Sequence, residues 1–218
     1  MKTIKSYTAV LAITLGLLVS MSSQRVEAQI QTMSIHKDGD TADINSLLAY
    51  FEQTANNMRT ELNGLSSEQL VFKPDTGSWS ISQCVEHIIL TDAMLFELVK
   101  SELSKPAQPE KAANIEVSDE QVKHFVADRS KKASAPKELT PVGKYTNSQS
   151  ALKAFSNGRK PIIKYIKAAN ETDLRSHVST FPTGMVDGYQ SLLFIAAHAT
   201  RHLEQIKEVK NDPNFPKN

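Results

Sequence analysis

Residues 188–210 read GYQSLLFIAAHATRHLEQIKEVK, and their spacing decides how the rest of the chain is read. Leu192, Ile195, Ala196, Ala199, Leu203, Ile206 and Val209 recur at steps of three and four. That period lines side chains along one face of an α-helix. Asp187 stands at the N-cap position, and Asn211-Asp212-Pro213 stops the element. The same helix carries His198 and His202, one turn apart. Both imidazoles leave one face with Cβ atoms about 6 Å apart, so both can reach one ion.

Working outward, three more segments share this period. Ile44, Leu47, Leu48, Phe51, Ala55, Met58, Leu62 and Leu65 predict a first helix, with Asp43 as its N-cap and Gly64 near its end. Ser66 to Leu70 reads as one short helical turn, and Lys73-Pro74-Asp75-Thr76-Gly77 as a turn. Ser80 with Gln83 has the capping-box form and opens a second helix over about 81–103, with Ile81, Val85, Ile88, Leu95 and Val99 toward a core. A third helix over about 148–170 carries Leu152, Phe155, Ile162, Ile163 and Ile166. Pro161 lies inside it and is expected to kink or split it. Phe181-Pro182-Thr183-Gly184 reads as a loop.

Between the second and third helices, residues 104–147 form a long connection. Ser118 with Gln121 caps a short helix there, over about 122–128. The basic stretch 129–144 has no interleaved aromatic residues before Tyr145 and reads as a solvated linker rather than a nucleic-acid surface. No segment shows strand alternation. The expected fold is all-α: a four-helix bundle over residues 42–212, with a long, partly helical connection between helices 2 and 3.

The first residues have a different character. Lys2 and Lys5 precede an apolar run from Ala9 to Val19, and Val26-Glu27-Ala28 has the form of a cleavage site. Residues 1–28 therefore read as a secretory signal peptide, too short in its apolar run to span a bilayer, followed by a flexible segment over 29–41. The expected location is periplasmic or secreted, with no stable membrane insertion after cleavage. Loss of the leader would change the formal net charge from +1 to −1.

Composition narrows the chemistry. The chain has 218 residues, with 25 Lys and Arg against 24 Asp and Glu, so no general attraction to nucleic acid is expected. A single Cys, Cys84, excludes an intrachain disulfide and cysteine-rich metal modules. Any metal site must rely mainly on His and carboxylates. His87 supplies a third candidate, within Cys84-Val85-Glu86-His87-Ile88-Ile89-Leu90. A buried imidazole without a partner costs about 1–3 kcal/mol, so His87 is either a hydrogen-bonded core residue or a ligand. Its position on an apolar helix face, like that of the His198–His202 pair, favours one shared ion. There is no Glu after His198, so the H-E-x-x-H protease pattern is absent.

Trp79-Ser80-Ile81, His87, and His198-x-x-x-His202 followed by Gln205-Ile206 together resemble the DinB-like superfamily of metal-binding four-helix bundles, over roughly residues 44–210. The resemblance implies that His87, His198 and His202 hold one divalent ion, zinc or nickel, with a coordination position left open. Around them, Thr91 and Gln205 stand one turn from His87 and His202 and are candidates for supporting hydrogen bonds. Cys84 is either a fourth ligand or a small core residue. Glu86 and Glu204 point away from the His faces, and His36, His124 and His177 receive no role. Three functions follow. The first is a metal-dependent hydrolase or thiol-group transferase acting on a small molecule, with export weighing against the transferase. The second is a metal-binding protein without catalysis. The third is a helical interaction protein. A monomer or a homodimer is expected.

Overall fold

The four apolar stripes become four long helices in a computed structural model that describes residues 44–131, 134–181 and 184–217. The leader, the segment 29–41, His36, Asp43, Pro182 and Thr183 lie outside the described residues. In chain order the helices are α1 (Ile44–Leu62), α2 (Ser67–Val71), α3 (Ile81–Leu103), α4 (Pro109–Ala112), α5 (Asp119–Ala127), α6 (Ser148–Ala168), α7 (Glu171–Ser176) and α8 (Gly188–Lys210). A 3₁₀ turn, Lys137–Leu139, sits in the connection. Both α1 and α3 pack between α6 and α8, which makes the four-helix bundle, and α5 lies along α8.

Caps explain where the elements start. Ser80 accepts from the Gln83 backbone N–H while the Gln83 side chain accepts from the Ser80 N–H. Ser66 with Gln69, Ser118 with Gln121 and Asp187 with Gln190 repeat the device. Each such cap contributes about 1 kcal/mol by satisfying donors that the helix leaves unpaired. At the chain's end Phe215 packs edge-on against Phe72, and the Pro216 carbonyl accepts from Gln69.

Two expectations change. Helix α6 is not split at Pro161. Pro161 and Asn157, whose carbonyl the proline cannot bond, are both exposed, so solvent can hydrate the freed group and the helix continues. The stretch read as a loop around Phe181 belongs to a small antiparallel hairpin, β1 (Val178–Phe181) against β2 (Gly184–Asp187), with Val178 opposite Asp187. Four-residue strands are too short to display an alternation that sequence can read. The hairpin is a minor addition to a helical fold, and it delivers Asp187 directly to the N-cap of α8.

The core falls into two apolar blocks. One gathers Leu47, Phe51, Leu95, Val99, Ile162, Ile166 and Leu192 with their neighbours; the other gathers Met58, Leu62, Ile81, Val85, Ile88, Phe155, Leu203 and Ile206. On each long helix a polar residue stands at the boundary in sequence between the blocks: Thr54, Asp92, Arg159 and His198.

Candidate metal centre

Helix α3 is buried continuously from Ile81 to Ile88, which carries the His87 ring into the bundle beside α8. From α8, His198 and His202 reach the same point. Ring centroids lie 4.7 Å apart for His87 and His202, 4.6 Å for His198 and His202, and 5.1 Å for His87 and His198. One ring nitrogen from each falls within 4.8 Å of the others. The i, i+4 spacing brings the Nε2 atoms of His198 and His202 to 3.2 Å. His87 and His202 are 4% and 6% exposed, so neither ring can rely on bulk water for its hydrogen bonds.

Hydrogen bonds at the far nitrogens settle what faces inward. Nδ1 of His87 lies 2.8 Å from the Leu139 carbonyl, which can only accept. Nδ1 of His202 lies 2.8 Å from Gln205 Oε1. In both rings the proton therefore sits on Nδ1, and Nε2 presents a bare lone pair to the cluster. His198 Nδ1 is buried without a hydrogen-bond partner. His198 can therefore carry its proton on Nε2 and donate it across the 3.2 Å to His202 Nε2, the position that a cation would take instead.

The rings are held neutral, the form that ligates. Burial pushes the His202 imidazole down to about 3, with the His87 ring adding to the effect. Burial also holds His198 well below the ordinary range, followed by the neighbouring His202 and His87 rings. His87 is lowered by burial, and its bond to the Leu139 carbonyl acts the other way.

Residues around the triad fall into place. Thr91 Oγ1 lies 3.4 Å from His87 Nε2, and Gln205 orients His202, so both sit beside the rings, as their spacing suggests. Cys84 is fully buried in the apolar core, and burial pushes its thiol up to about 12, which keeps it protonated and outside the cluster. Glu204 is exposed and bonds Lys207. His124 is exposed on α5, and His177 lies buried beside Asp173; neither joins the cluster.

Sequence reasoning missed the connection's share in the site. Glu86 does turn away from the rings, but it is buried, and its Oε2 accepts the N–H groups of Val142, Gly143 and Lys144 at 3.0, 2.6 and 3.2 Å. Gln83 reaches the Pro141 carbonyl, and the Tyr145 N–H donates to Ser82. Residues 139–145 are thus strapped to the face of α3 that bears His87, and Leu139 and Pro141 are buried there rather than solvated. Trp79 packs its ring 4.7 Å from His87 and 5.8 Å from His202, walling the cluster. Its place just before the Ser80 cap was the one signal for it in the sequence.

A family model for the DinB superfamily matches residues 50–206. The uncharacterized protein YuaE of Bacillus subtilis (strain 168) is 27% identical over 150 residues, covering 69% of this chain and 88% of that protein. A solved structure, YfiT from Bacillus subtilis, described as "a probable metal-dependent hydrolase with an unusual four-helix bundle topology", matches with a TM-score of 0.55. That match covers 83% of this chain and 94% of the other at 12% identity, a likeness of fold.

Proposed function

The chain belongs to the DinB superfamily, and from that premise we propose that it is an exported, metal-dependent hydrolase of small molecules. His87, His198 and His202 would hold one divalent ion, zinc or nickel. The observation that carries the reading is the convergence of three neutral imidazoles within 4.8 Å, two of them committed by their hydrogen bonds to an inward lone pair. The description of YfiT as a probable metal-dependent hydrolase supports the choice of reaction class.

Three neutral ligands fit a divalent ion and leave room for a further ligand. Bound there, the ion would act as a Lewis acid and bring the pKa of a water to about 7. The chain's own residues do the rest. Leu139 and Gln205 keep the His87 and His202 rings oriented, and Trp79 excludes solvent from one side. The Thr91 hydroxyl stands beside His87 Nε2, where it can hold a proton or a substrate oxygen by hydrogen bonding.

A second reading, metal binding without catalysis, draws support from Glu86. This carboxylate neighbours His87 in sequence, but its Oε2 is taken up by three backbone N–H groups. Glu86 is thus held against the strap and lies outside the cluster of imidazoles.

Metal analysis of protein purified without a His tag tests the first step; about one equivalent is expected, with a thermal shift on adding Zn²⁺ or Ni²⁺. A panel of ester, amide and thiol-transfer substrates then separates the readings. Hydrolysis abolished in His198→Ala supports the hydrolase; a metal-loaded protein inert to the whole panel leaves the binding protein. Export is tested by sequencing the N-terminus of the mature protein, expected to begin after Ala28.

A further inference from the structure

We propose that Arg129 and Glu86 are positioning residues that set the tautomers of His202 and His87, so that the connection between α3 and α6 commits both Nε2 atoms to the cluster. The inference deepens the metal reading and rests on it only for its second readout, the zinc affinity.

The argument starts at Gln205. A side-chain amide presents an acceptor at one end and a donor at the other, nearly equal in shape. Turned one way, Gln205 accepts the proton of His202 Nδ1 and leaves Nε2 bare. Turned over, it would donate to Nδ1 and drive the proton onto Nε2, where it blocks a ligand lone pair. Arg129 decides between the two. Its guanidinium can only donate, and Nη1 points at Gln205 Oε1 from 3.4 Å. The plane of the guanidinium is fixed independently, because Nε and Nη2 grip the Glu208 carboxylate at 2.7 and 2.5 Å. The chain Glu208–Arg129–Gln205–His202 thus holds the amide oxygen toward both neighbours.

Glu86 performs the matching task for His87 through backbone. The partner of His87 is the Leu139 carbonyl, which no side-chain chemistry can specify, so its position depends on the strap that carries it. Glu86 gathers three successive N–H groups of that strap around one oxygen. This convergence requires the left-handed turn at Gly143, with φ of +83°. Losing the carboxylate would release the strap and with it the acceptor that keeps the His87 proton on Nδ1.

Long-range ¹H–¹⁵N correlation spectra of the full chain, free of metal at neutral pH, read the tautomers directly. Protonated Nδ1 and bare Nε2 are expected for both His87 and His202. Arg129→Met should give a mixed His202 population, leave His87 unchanged and weaken zinc binding about tenfold, the scale at which partners of metal ligands act. Arg129→Lys, which still donates, should restore most of both readouts. Glu86→Ala should mix His87 and spare His202. If Glu86→Ala does not fold, Gly143→Ala displaces the same strap, because a Cβ there strains the turn and meets Gln83 Cγ at 3.2 Å. A His202 ring still wholly protonated on Nδ1 in Arg129→Met overturns the Arg129 assignment, and an unchanged His87 ring in the strap variant overturns that of Glu86. Tautomers as expected in a wild-type protein that binds no zinc would sink the metal reading alone.

Discussion

Two buried polar clusters lie in the same bundle and solve the problem of burial in opposite ways. Arg159 on α6 donates from Nε to Asp92 on α3 at 2.8 Å and from Nη1 to Thr54 on α1 at 2.6 Å. Its guanidinium lies 4.4 Å from the Phe155 ring centre and 5.1 Å from that of Phe51. Opposite charges meet there, so charge is balanced within the protein, although Asp92 Oδ1 and Arg159 Nη2 are buried without a hydrogen-bond partner. The histidine triad brings together groups of one kind, with two lone pairs and a third imidazole turned on a common point. Among the described residues no carboxylate joins them; the only groups that can donate to those lone pairs are His198 Nε2, 3.2 Å from His202 Nε2, and the Thr91 hydroxyl, 3.4 Å from His87 Nε2. Arg159 joins α1, α3 and α6 through opposite charge, whereas the triad gathers three neutral imidazoles, the donor set that the proposed metal ion would take.

The comparison breaks most sharply at the ligands. His87→Ala should lower metal affinity by more than about 100-fold, beyond the range for losing a partner of a ligand, and should abolish the zinc-induced rise in Tm. Full metal occupancy in this variant would show that the triad is not the site. Arg159→Met should act on the other cluster alone. It leaves the Asp92 carboxylate buried without its cation, at a cost of about 3–5 kcal/mol in urea unfolding, and Arg159→Met with Asp92→Leu should recover most of that loss. Zinc affinity should stay near the wild-type value in the double variant; a large drop would mean that the two clusters act as one.

Gln205→Leu sharpens the contrast at a smaller scale. It removes the acceptor at His202 Nδ1 and should weaken zinc binding about 10-fold, while changing stability by less than about 1 kcal/mol, since Gln205 is only half-buried. Titrating the metal-free protein gives the gentlest test. The triad imidazoles have folded-state pKa values below the unfolded one, so the unfolded chain binds more protons in acid. Their contribution is complete above pH 6.5 and should be lost as pH falls toward about 3, the value for His202. Asp92 works in the other direction, because burial raises its carboxyl despite Arg159. Protonation below that raised value favours the folded state. Unfolding of His202→Ala between pH 7 and 5 should therefore show a weaker acid loss than the wild type.

The Arg159 cluster also shows what could be read from the sequence and was not. Thr54 interrupts the series Leu47, Phe51, Met58, Leu62; Asp92 interrupts Ile88, Leu95, Val99; Arg159 interrupts Phe155, Ile162, Ile166. Each is a polar residue at a core position, and three such interruptions of complementary chemistry signal a buried layer. The histidines were visible because they share one chemistry and two of them share one helix. Pro161 does not split α6, because the freed carbonyl of Asn157 lies on the exposed side, which the local sequence does not state. Most described residues of the basic stretch 129–144 are exposed, as its composition suggests, but composition does not show that Leu139 and Pro141 are buried or that the backbone of 142–144 is gripped by α3.

The sequence by itself determined the four apolar helix faces, the Ser80 and Asp187 caps and the presence of His87, His198 and His202 on those faces. These follow from local geometry, in which residues three and four apart share a side and capping residues bond three positions on. Only the tertiary structure decided which carbonyl orients His87, which cation orders Gln205 and which carboxylate holds the strap. Leu139 is 52 residues from His87, and Arg129 is 76 from Gln205. Contacts at that separation leave no period in the chain, because they depend on how the helices pack and not on how any one of them winds.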